Sequence, residues 1–280
     1  PNEHKDFEDY LRCKSLLFKQ CKYGIINADA DYADYIINNA TCKTMTYGFA
    51  ENANLKANNV KLINKPGHLG VAYNITGDIS MNVEIDLPGK FSVYNSLTAI
   101  AICKYFGIEN DIIKNALKDA KVKGRIEMVK VSDDFTLMID YAHTPSSLES
   151  ILTAVNTYAK GKVICAWGVG GDRDATKRPI MGSIAARYAN FVIVTSDNPR
   201  SEEPCAIIDD ILVGMEGTIT PYKVIENRID AIKYAIKNAM PGDIIVLAGK
   251  GHETYQIIGK TKYPMDEREI VSEHLKNRGE

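Results

Sequence analysis

Lys162-Val163-Ile164-Cys165-Ala166-Trp167, followed at once by Gly168-Val169-Gly170-Gly171-Asp172-Arg173-Asp174, is the stretch that decides the fold. Its first half is an unbroken apolar run of strand length. Its second half is a glycine-rich loop carrying both signs of charge, and a helical pattern over Lys177 to Ala189 comes next. A strand with no polar face has to be covered on both sides, and such strands alternating with helices form a mainly parallel sheet. The rhythm repeats around this stretch. Strands are expected over Thr136 to Ile139, Phe191 to Thr195 and Asp243 to Ala248, with helices over Pro145 to Lys160, Pro204 to Met215 and Arg228 to Met240.

Towards the beginning the pattern differs. Residues 5 to 20 are helical in period and end before Tyr23-Gly24. Four short stretches of β character follow at Thr44 to Tyr47, Val60 to Ile63, Leu69 to Ile75 and Ile79 to Ile85, the last two joined by a hairpin turn at Thr76-Gly77-Asp78. Two helices, Ser92 to Phe106 and Asn110 to Ala120, are separated by Gly107. The fold class is therefore α/β: helices plus antiparallel strands over residues 1–122, then a Rossmann-like domain with a mainly parallel sheet over residues 123–280.

The chain has 280 residues, 45% of them hydrophobic and 25% charged, which suits a globular protein and excludes wholesale disorder. Lys+Arg number 34 against 36 Asp+Glu, a balance unsuited to neutralising phosphates along a nucleic-acid groove. Apolar stretches such as Ile244 to Ala248 fall far short of the ~18 residues of a membrane helix. No charged-then-apolar leader opens the chain, and a cytoplasmic location is expected. The six cysteines include no Cys-x-x-Cys pair and read as reduced packing residues. Oligomeric state is left open.

Three strands run into polar loops: Gly168 to Asp174 with Lys177-Arg178-Pro179, then Ser196-Asp197-Asn198-Pro199-Arg200, then Gly249-Lys250-Gly251-His252-Glu253. In an open α/β sheet ligands bind beyond the carboxyl ends of the strands, and loops of mixed charge suit a zwitterion. A fourth strand leads into Asp140-Tyr141-Ala142-His143-Thr144-Pro145, where Thr144 and Pro145 read as a helix start. In the first helix Lys14 falls inside a stripe of Phe7, Tyr10, Leu11, Leu17 and Phe18. It is either a snorkelling cation or a partly buried amine with a lowered pKa. No Gly-x-x-x-x-Gly-Lys-Ser/Thr, His-Glu-x-x-His or Gly-x-Ser-x-Gly occurs in the 280 residues.

Seven segments, in order along the chain, resemble the Mur ligases, in particular the members that add the third residue of the peptidoglycan stem peptide. They are His4 to Tyr10 with Lys14, Pro88 to Asn95, Gly124-Arg125-Ile126-Glu127, Asp140 to Pro145, Gly170 to Asp174 with Lys177-Arg178-Pro179, Asp197 to Arg200, and Gly249 to Glu253. The resemblance implies an ATP-dependent amide ligase working through an acyl-phosphate, with ATP and Mg2+ as cofactors. Its substrates would be a UDP-N-acetylmuramoyl dipeptide and meso-diaminopimelate. By position, Lys14 resembles a carbamylated lysine that holds magnesium. Asn95, Arg125, Asp140 and His143 match nucleotide contacts, with Lys14 and His143 in catalytic positions. Arg173, Asp197, Asn198, Arg200, Gly249 and Glu253 match the pocket for the incoming amino acid.

Two positions depart from the family, Ser92 for a usual asparagine and Ser146 for an aspartate. The resemblance also implies that the family's UDP-binding domain and P-loop lie outside this sequence, leaving it inactive alone. Alternatives are a lysine-adding homologue, a folylpolyglutamate or cyanophycin type of ligase, and a non-catalytic amino-acid or nucleotide binding module.

Overall fold

The computed structural model describes residues 4–65 and 68–278. Two compact units are present: Pro1–Ile63 with Gly70–Asp86 and Lys90–Ala120, and Asn64–Leu69 with Leu87–Gly89 and Lys121–Glu280.

The first unit begins with α1 (Phe7–Ser15), whose start is capped by Asp6 accepting from the Asp9 amide at 2.8 Å. After a break at Leu16 comes α2 (Leu17–Gln20). Then follow β1 (Tyr23–Asn27), α3 (Ala33–Asn39), β2 (Lys43–Gly48), β3 (Leu55–Lys65), β4 (His68–Gly77) and β5 (Met81–Ile85), which form one sheet in the order β1-β2-β3-β4-β5. The antiparallel pairing expected from the sequence holds for β4 and β5, joined through the predicted turn. The other half of the sheet is parallel: β1 pairs with β2 from Tyr23↔Lys43 to Asn27↔Tyr47, and β2 with β3 at Tyr47↔Leu55. This half escaped the sequence because β1 has five residues and α3 seven, too few for either period to register. Helices α4 (Lys90–Tyr105) and α5 (Asn110–Lys118) complete the core, where Val93, Leu97, Ile100 and Ile113 join Leu55, Val71, Ile75, Val83 and Ile85.

The second unit is a six-stranded sheet in the order β10-β9-β8-β11-β7-β6, made by β6 (Glu127–Val129), β7 (Thr136–Asp140), β8 (Val163–Trp167), β9 (Phe191–Val194), β10 (Tyr222–Val224) and β11 (Ile244–Ala248). All its pairs are parallel except β6 with β7, and β8 and β11 are buried at every position. The helices are α6 (Pro145–Asn156), α7 (Lys177–Tyr188), α8 (Pro204–Val213), α9 (Arg228–Asn238) and α10 (Glu267–Arg278), with a hairpin of β12 (Tyr255–Ile258) and β13 (Thr261–Pro264) before the last. On one face Ile139, Ile164, Ile193, Ile245 and Leu247 pack with Ala231, Ile232, Ile236 and Val271. Each such aliphatic side chain contributes about 1.5–3 kcal/mol by leaving water. The chain moves from β8 outwards to β10, then returns to insert β11 between β7 and β8. That reversal opens a crevice at the carboxyl ends of the central strands, where the loops after β7, β8, β9 and β11 converge.

Candidate functional site at the carboxyl ends of the second sheet

Arg200, six residues past β9, is fixed on both sides. Its guanidinium donates to the Gly171 carbonyl at 2.6 Å, its amide donates to the Ile257 carbonyl at 3.1 Å, and its carbonyl accepts from Gly259 at 2.6 Å. Its φ of +54° is unusual for a residue with a side chain. Asp172 shares that φ of +54°. The Asp172 carboxylate accepts from the Ser201 hydroxyl at 2.5 Å, and the Asp172 amide donates to Glu202 at 2.5 Å. Glu202 in turn accepts from the buried Arg178 at 2.8 Å, so the loops after β8 and β9 hold one another in register. Arg173, beside this clasp, is exposed and has no side-chain hydrogen bond among the described residues.

Asp197 and Asn198 are 7% and 3% exposed, and the loop after β11 folds over them. Lys250, with no role legible in the sequence beyond its place in the polar loop after β11, is the residue that organises them. It is fully buried; its Nζ donates to Asn198 Oδ1 at 2.9 Å and lies 3.1 Å from Glu253 Oε2 and 3.6 Å from Asp197 Oδ1. Asn198 Nδ2 donates to Glu253 Oε2 at 2.8 Å. Two carboxylates around one ammonium leave a net charge of about −1, which suits one further cation. Gly249 is obligatory here. Its φ is +112°, and a Cβ would lie 2.8 Å from Asp197 Oδ2.

A second cluster forms around Tyr141. The Arg125 guanidinium lies 4.7 Å from its ring centre, the His143 ring 4.5 Å and the His252 ring 4.9 Å. Arg125 and His143 are exposed. The His143 Nδ1 is 2.7 Å from the Tyr141 carbonyl, and since a carbonyl only accepts, Nδ1 carries a proton. Asp140 is not exposed to a ligand in the same way. It is 7% exposed, and its two oxygens accept from the Ile126 and Ala142 amides, each at 2.8 Å. Burial pushes its carboxyl up, against the opposing pull of those two amides. Ile126 sits at φ +49°, a costly conformation for a β-branched residue, and Asp140 holds it there beside Arg125. Of the four side-chain-bearing residues with positive φ among the described residues, Ile126, Asp172 and Arg200 thus lie in these loops.

Lys14 and Asn95 belong to the first unit and are both exposed. The partial burial considered for Lys14 is not found, because the stripe around it is itself open: Phe7 is 53%, Tyr10 41% and Leu17 61% exposed. Its Nζ lies 5.4 Å from the Tyr10 ring centre. At the start of the same helix, His4, just before it, and Asp9 and Cys13 on it place ligand atoms within 4.8 Å of one another, but the Arg12 guanidinium holds Asp9 at 2.7 Å. One residue before Asn95 on α4, Tyr94 donates to Asp29 at 2.8 Å, and Asp29 also accepts from the Phe49 and Ala50 amides. The sequence carried no sign of this cluster, since Asp29 lies in an Asp/Ala-rich turn.

A parallel sheet with one topological reversal, whose strands end in a polar cluster and an arginine–aromatic–histidine cluster, makes the second unit a doubly wound α/β protein with its candidate site at the switch point. The chain belongs to the Mur ligase family: the family models "Mur ligase middle domain" and "Mur ligase, glutamate ligase domain" match residues 2–103 and 124–251. Among relatives, the UDP-N-acetylmuramoyl-L-alanyl-D-glutamate--2,6-diaminopimelate ligase of Caldanaerobacter subterraneus subsp. tengcongensis is 45% identical over 97% of this chain and 56% of its own length. That of Clostridioides difficile is 42% identical over 97% of this chain and 57% of its own length. A solved structure of a ligase of the same name superimposes with a TM-score of 0.64 at 31% identity, over 99% of this chain and 58% of that one. MurF ligase from Thermotoga maritima in complex with ADP shares the fold, with a TM-score of 0.68 at 14% identity over 97% of this chain and 58% of its own. The chain spans little more than half the length of these relatives. No helix among the described residues is long and apolar enough to cross a membrane.

Proposed function

We propose that this chain forms part of an ATP-dependent ligase that joins meso-diaminopimelate to UDP-N-acetylmuramoyl-L-alanyl-D-glutamate in the bacterial cytoplasm, for peptidoglycan synthesis. Residues 1–122 are assigned to the middle, nucleotide-handling domain and residues 123–280 to the amino-acid-binding domain. In the reaction the dipeptide carboxylate attacks the γ-phosphate of ATP to give an acyl-phosphate. The amine of the incoming amino acid then attacks the acyl carbon, and phosphate leaves.

The observation that carries the amino-acid assignment is the anchored Arg200 together with the Asp197–Asn198–Lys250–Glu253 cluster. Diaminopimelate ends in an ammonium and a carboxylate at the centre that does not react. Arginine's planar fork suits the carboxylate, and a net-negative polar cluster suits the ammonium. Lysine, the competing amino acid, lacks that carboxylate. Gly249 supports the cluster by its close approach to Asp197, and Arg173 adds a second, exposed cation on the neighbouring loop.

Arg125, with Tyr141 beneath it, and His143 offer a cation, an aromatic face and a ring nitrogen to a nucleotide. Asn95, on α4 of the first unit, is assigned to the nucleotide by the family resemblance alone. Asp140 acts on this set through the backbone it holds. As an ammonium, Lys14 does not fit a divalent cation. Exposed on α1, its amine is open to CO2, and as a carbamate it would offer oxygens to magnesium. Magnesium, when bound, supplies charge neutralisation at the transferring phosphate.

The test is competition between diaminopimelate and L-lysine on a polypeptide of the relatives' full length, wild type and Arg200→Ala. Two charge-assisted hydrogen bonds at about 1.5–3 kcal/mol each give the wild type at least a roughly hundredfold preference for diaminopimelate. Arg200→Ala is expected to lose it. Equal use of lysine by the wild type would move the assignment to a lysine-adding ligase.

A further inference from the structure

We propose that Cys21 and Cys42 form a dithiol site that closes to a disulfide on meeting a small-molecule disulfide. Their sulfurs are 3.5 Å apart although 21 positions separate them in sequence. Neither is exposed on a mobile tip. Cys21 caps α2, its amide donating to the Leu17 carbonyl at 3.0 Å, and Cys42 immediately precedes β2. The neighbouring Thr41 ties the two segments together, its amide donating to the Phe18 carbonyl at 3.2 Å and its hydroxyl to the Lys19 carbonyl at 3.5 Å. The backbone therefore holds the thiols in contact, and bond formation needs a closure of about 1.5 Å.

The other four thiols have different surroundings. Cys13 touches the Arg12 guanidinium, Cys103 packs against the core of the first unit, and Cys205 is exposed and donates to Glu226. Cys165 is fully buried, and burial pushes its thiol up to about 12. Only Cys21 and Cys42 have a sulfur partner among the described residues.

The step balances as two exchanges. The thiolate of one cysteine attacks the small disulfide, forms a mixed disulfide and expels one small thiolate. The other cysteine's thiolate attacks the sulfur already bound to protein and expels the second. Two protein thiols are oxidised, the small disulfide is reduced to two thiols, and the cysteine protons pass to the leaving thiolates. Burial and the neighbouring Cys21 push the Cys42 thiol up, which slows Cys42 as the first attacker. The bond would enclose β1 and α3 and fasten the end of α2, which directly follows the Lys14 helix, to the start of β2.

The experiment incubates the 280-residue chain with oxidised glutathione, in buffer and in urea, then alkylates remaining thiols and maps peptides by mass spectrometry. The expected result is a Cys21–Cys42 linked peptide, the other four cysteines alkylated, and closure at least tenfold faster in the folded chain than in urea. A Cys42→Ser variant should retain a glutathione adduct on Cys21 with no internal bond, and Cys21→Ser the converse. Adducts at Cys205 without the Cys21–Cys42 link, or a link forming as fast in urea as in buffer, would overturn the proposal.

Discussion

The Lys250 ammonium donates to the side-chain oxygen of Asn198 at 2.9 Å, and both residues are buried, Lys250 completely. The same Asn198 oxygen accepts from the Ile257 amide at 2.9 Å, so one asparagine joins the loops after β9 and β11 and the β12 strand. Orientation of this amide is fixed by its partners: the oxygen faces two donors and the nitrogen faces the Glu253 carboxylate. Removing the lysine charge leaves Asp197 and Glu253 facing each other without a counter-ion.

Breaking a buried pair on one side costs about 3–5 kcal/mol. Lys250→Met is therefore expected to lower the melting temperature of the second unit by roughly 10 °C. Trp167 is the only tryptophan and is 1% exposed at the end of β8, so its fluorescence follows this unit. In a polypeptide of the relatives' length, the same change should raise KM for the amino acid at least tenfold and leave KM for ATP within twofold. An unchanged amino-acid KM would reduce Lys250 to a packing residue.

Asp140 gives a prediction about local order. Its two backbone partners, the Ile126 and Ala142 amides, have no other acceptor among the described residues, and Ile126 is held at positive φ. Asp140→Ala leaves two buried donors unmet and should cost about 2–4 kcal/mol. Asp140→Asn retains one acceptor oxygen and should cost about half as much. Hydrogen exchange reads this directly: protection at the Ile126 and Ala142 amides should fall together in Asp140→Ala. Protection unchanged at both would show that the carboxylate does not hold them.

Both oxygens of the Glu127 carboxylate, in β6, accept from Arg268, from its Nε and its Nη2, and one also accepts from the Gly124 amide at 2.7 Å. Arg268 holds its carboxyl below the ordinary range, opposed by partial burial. A depressed carboxylate contributes stability above its unfolded pKa of about 4.3 and loses it as pH falls through the folded value. Since both partners are partly exposed, the pair is worth about 1 kcal/mol. Wild type should melt a few degrees above Glu127→Gln from pH 6 to 8, and the gap should close below roughly pH 4. A gap that persists at pH 3 would contradict the pairing.

Much of the second unit is legible in its sequence because β8, β9 and β11 are buried on both faces, which writes them as apolar runs ending abruptly in polar loops. The same property places Asp197, Asn198, Arg200 and Gly249 just past strand ends in the sequence itself. What escaped has physical reasons. The strands β10 and β13 are short and exposed and β12 is short and only half-buried, so little constrains their polarity, and α10 is almost all charged along its outer side. Lys250 was opaque because a buried cation is recognised only by the carboxylates that meet it, which come from another loop. Tyr141 was overlooked for the same reason, since Arg125 and His252 reach it from distant segments. Lys14 shows the limit of such a reading. Helical spacing placed it inside an apolar stripe, but spacing does not say that a stripe is covered.

The last prediction concerns Arg228 and Glu267, an ion pair 1% and 0% exposed that lies behind the site. Arg228 Nε donates to Glu267 Oε1 and Nη2 to the Ala248 carbonyl, each at 2.8 Å, so the pair holds the last residue of β11 just before Gly249. The pair is incompletely satisfied: Arg228 Nη1 and Glu267 Oε2 have no partner among the described residues. Such a pair recovers little of the desolvation cost of its two charges, yet losing one partner strands the other in the interior. Glu267→Leu alone should therefore cost about 3–5 kcal/mol, and Arg228→Met alone a similar amount. The double variant should recover most of that loss, to within about 1–2 kcal/mol of wild type, limited by the unmet Ala248 carbonyl. Urea unfolding followed through Trp167 measures all four corners of the cycle. Additive losses in the double variant would show that the two residues stabilise the fold independently and that the buried pair is not the unit of stability.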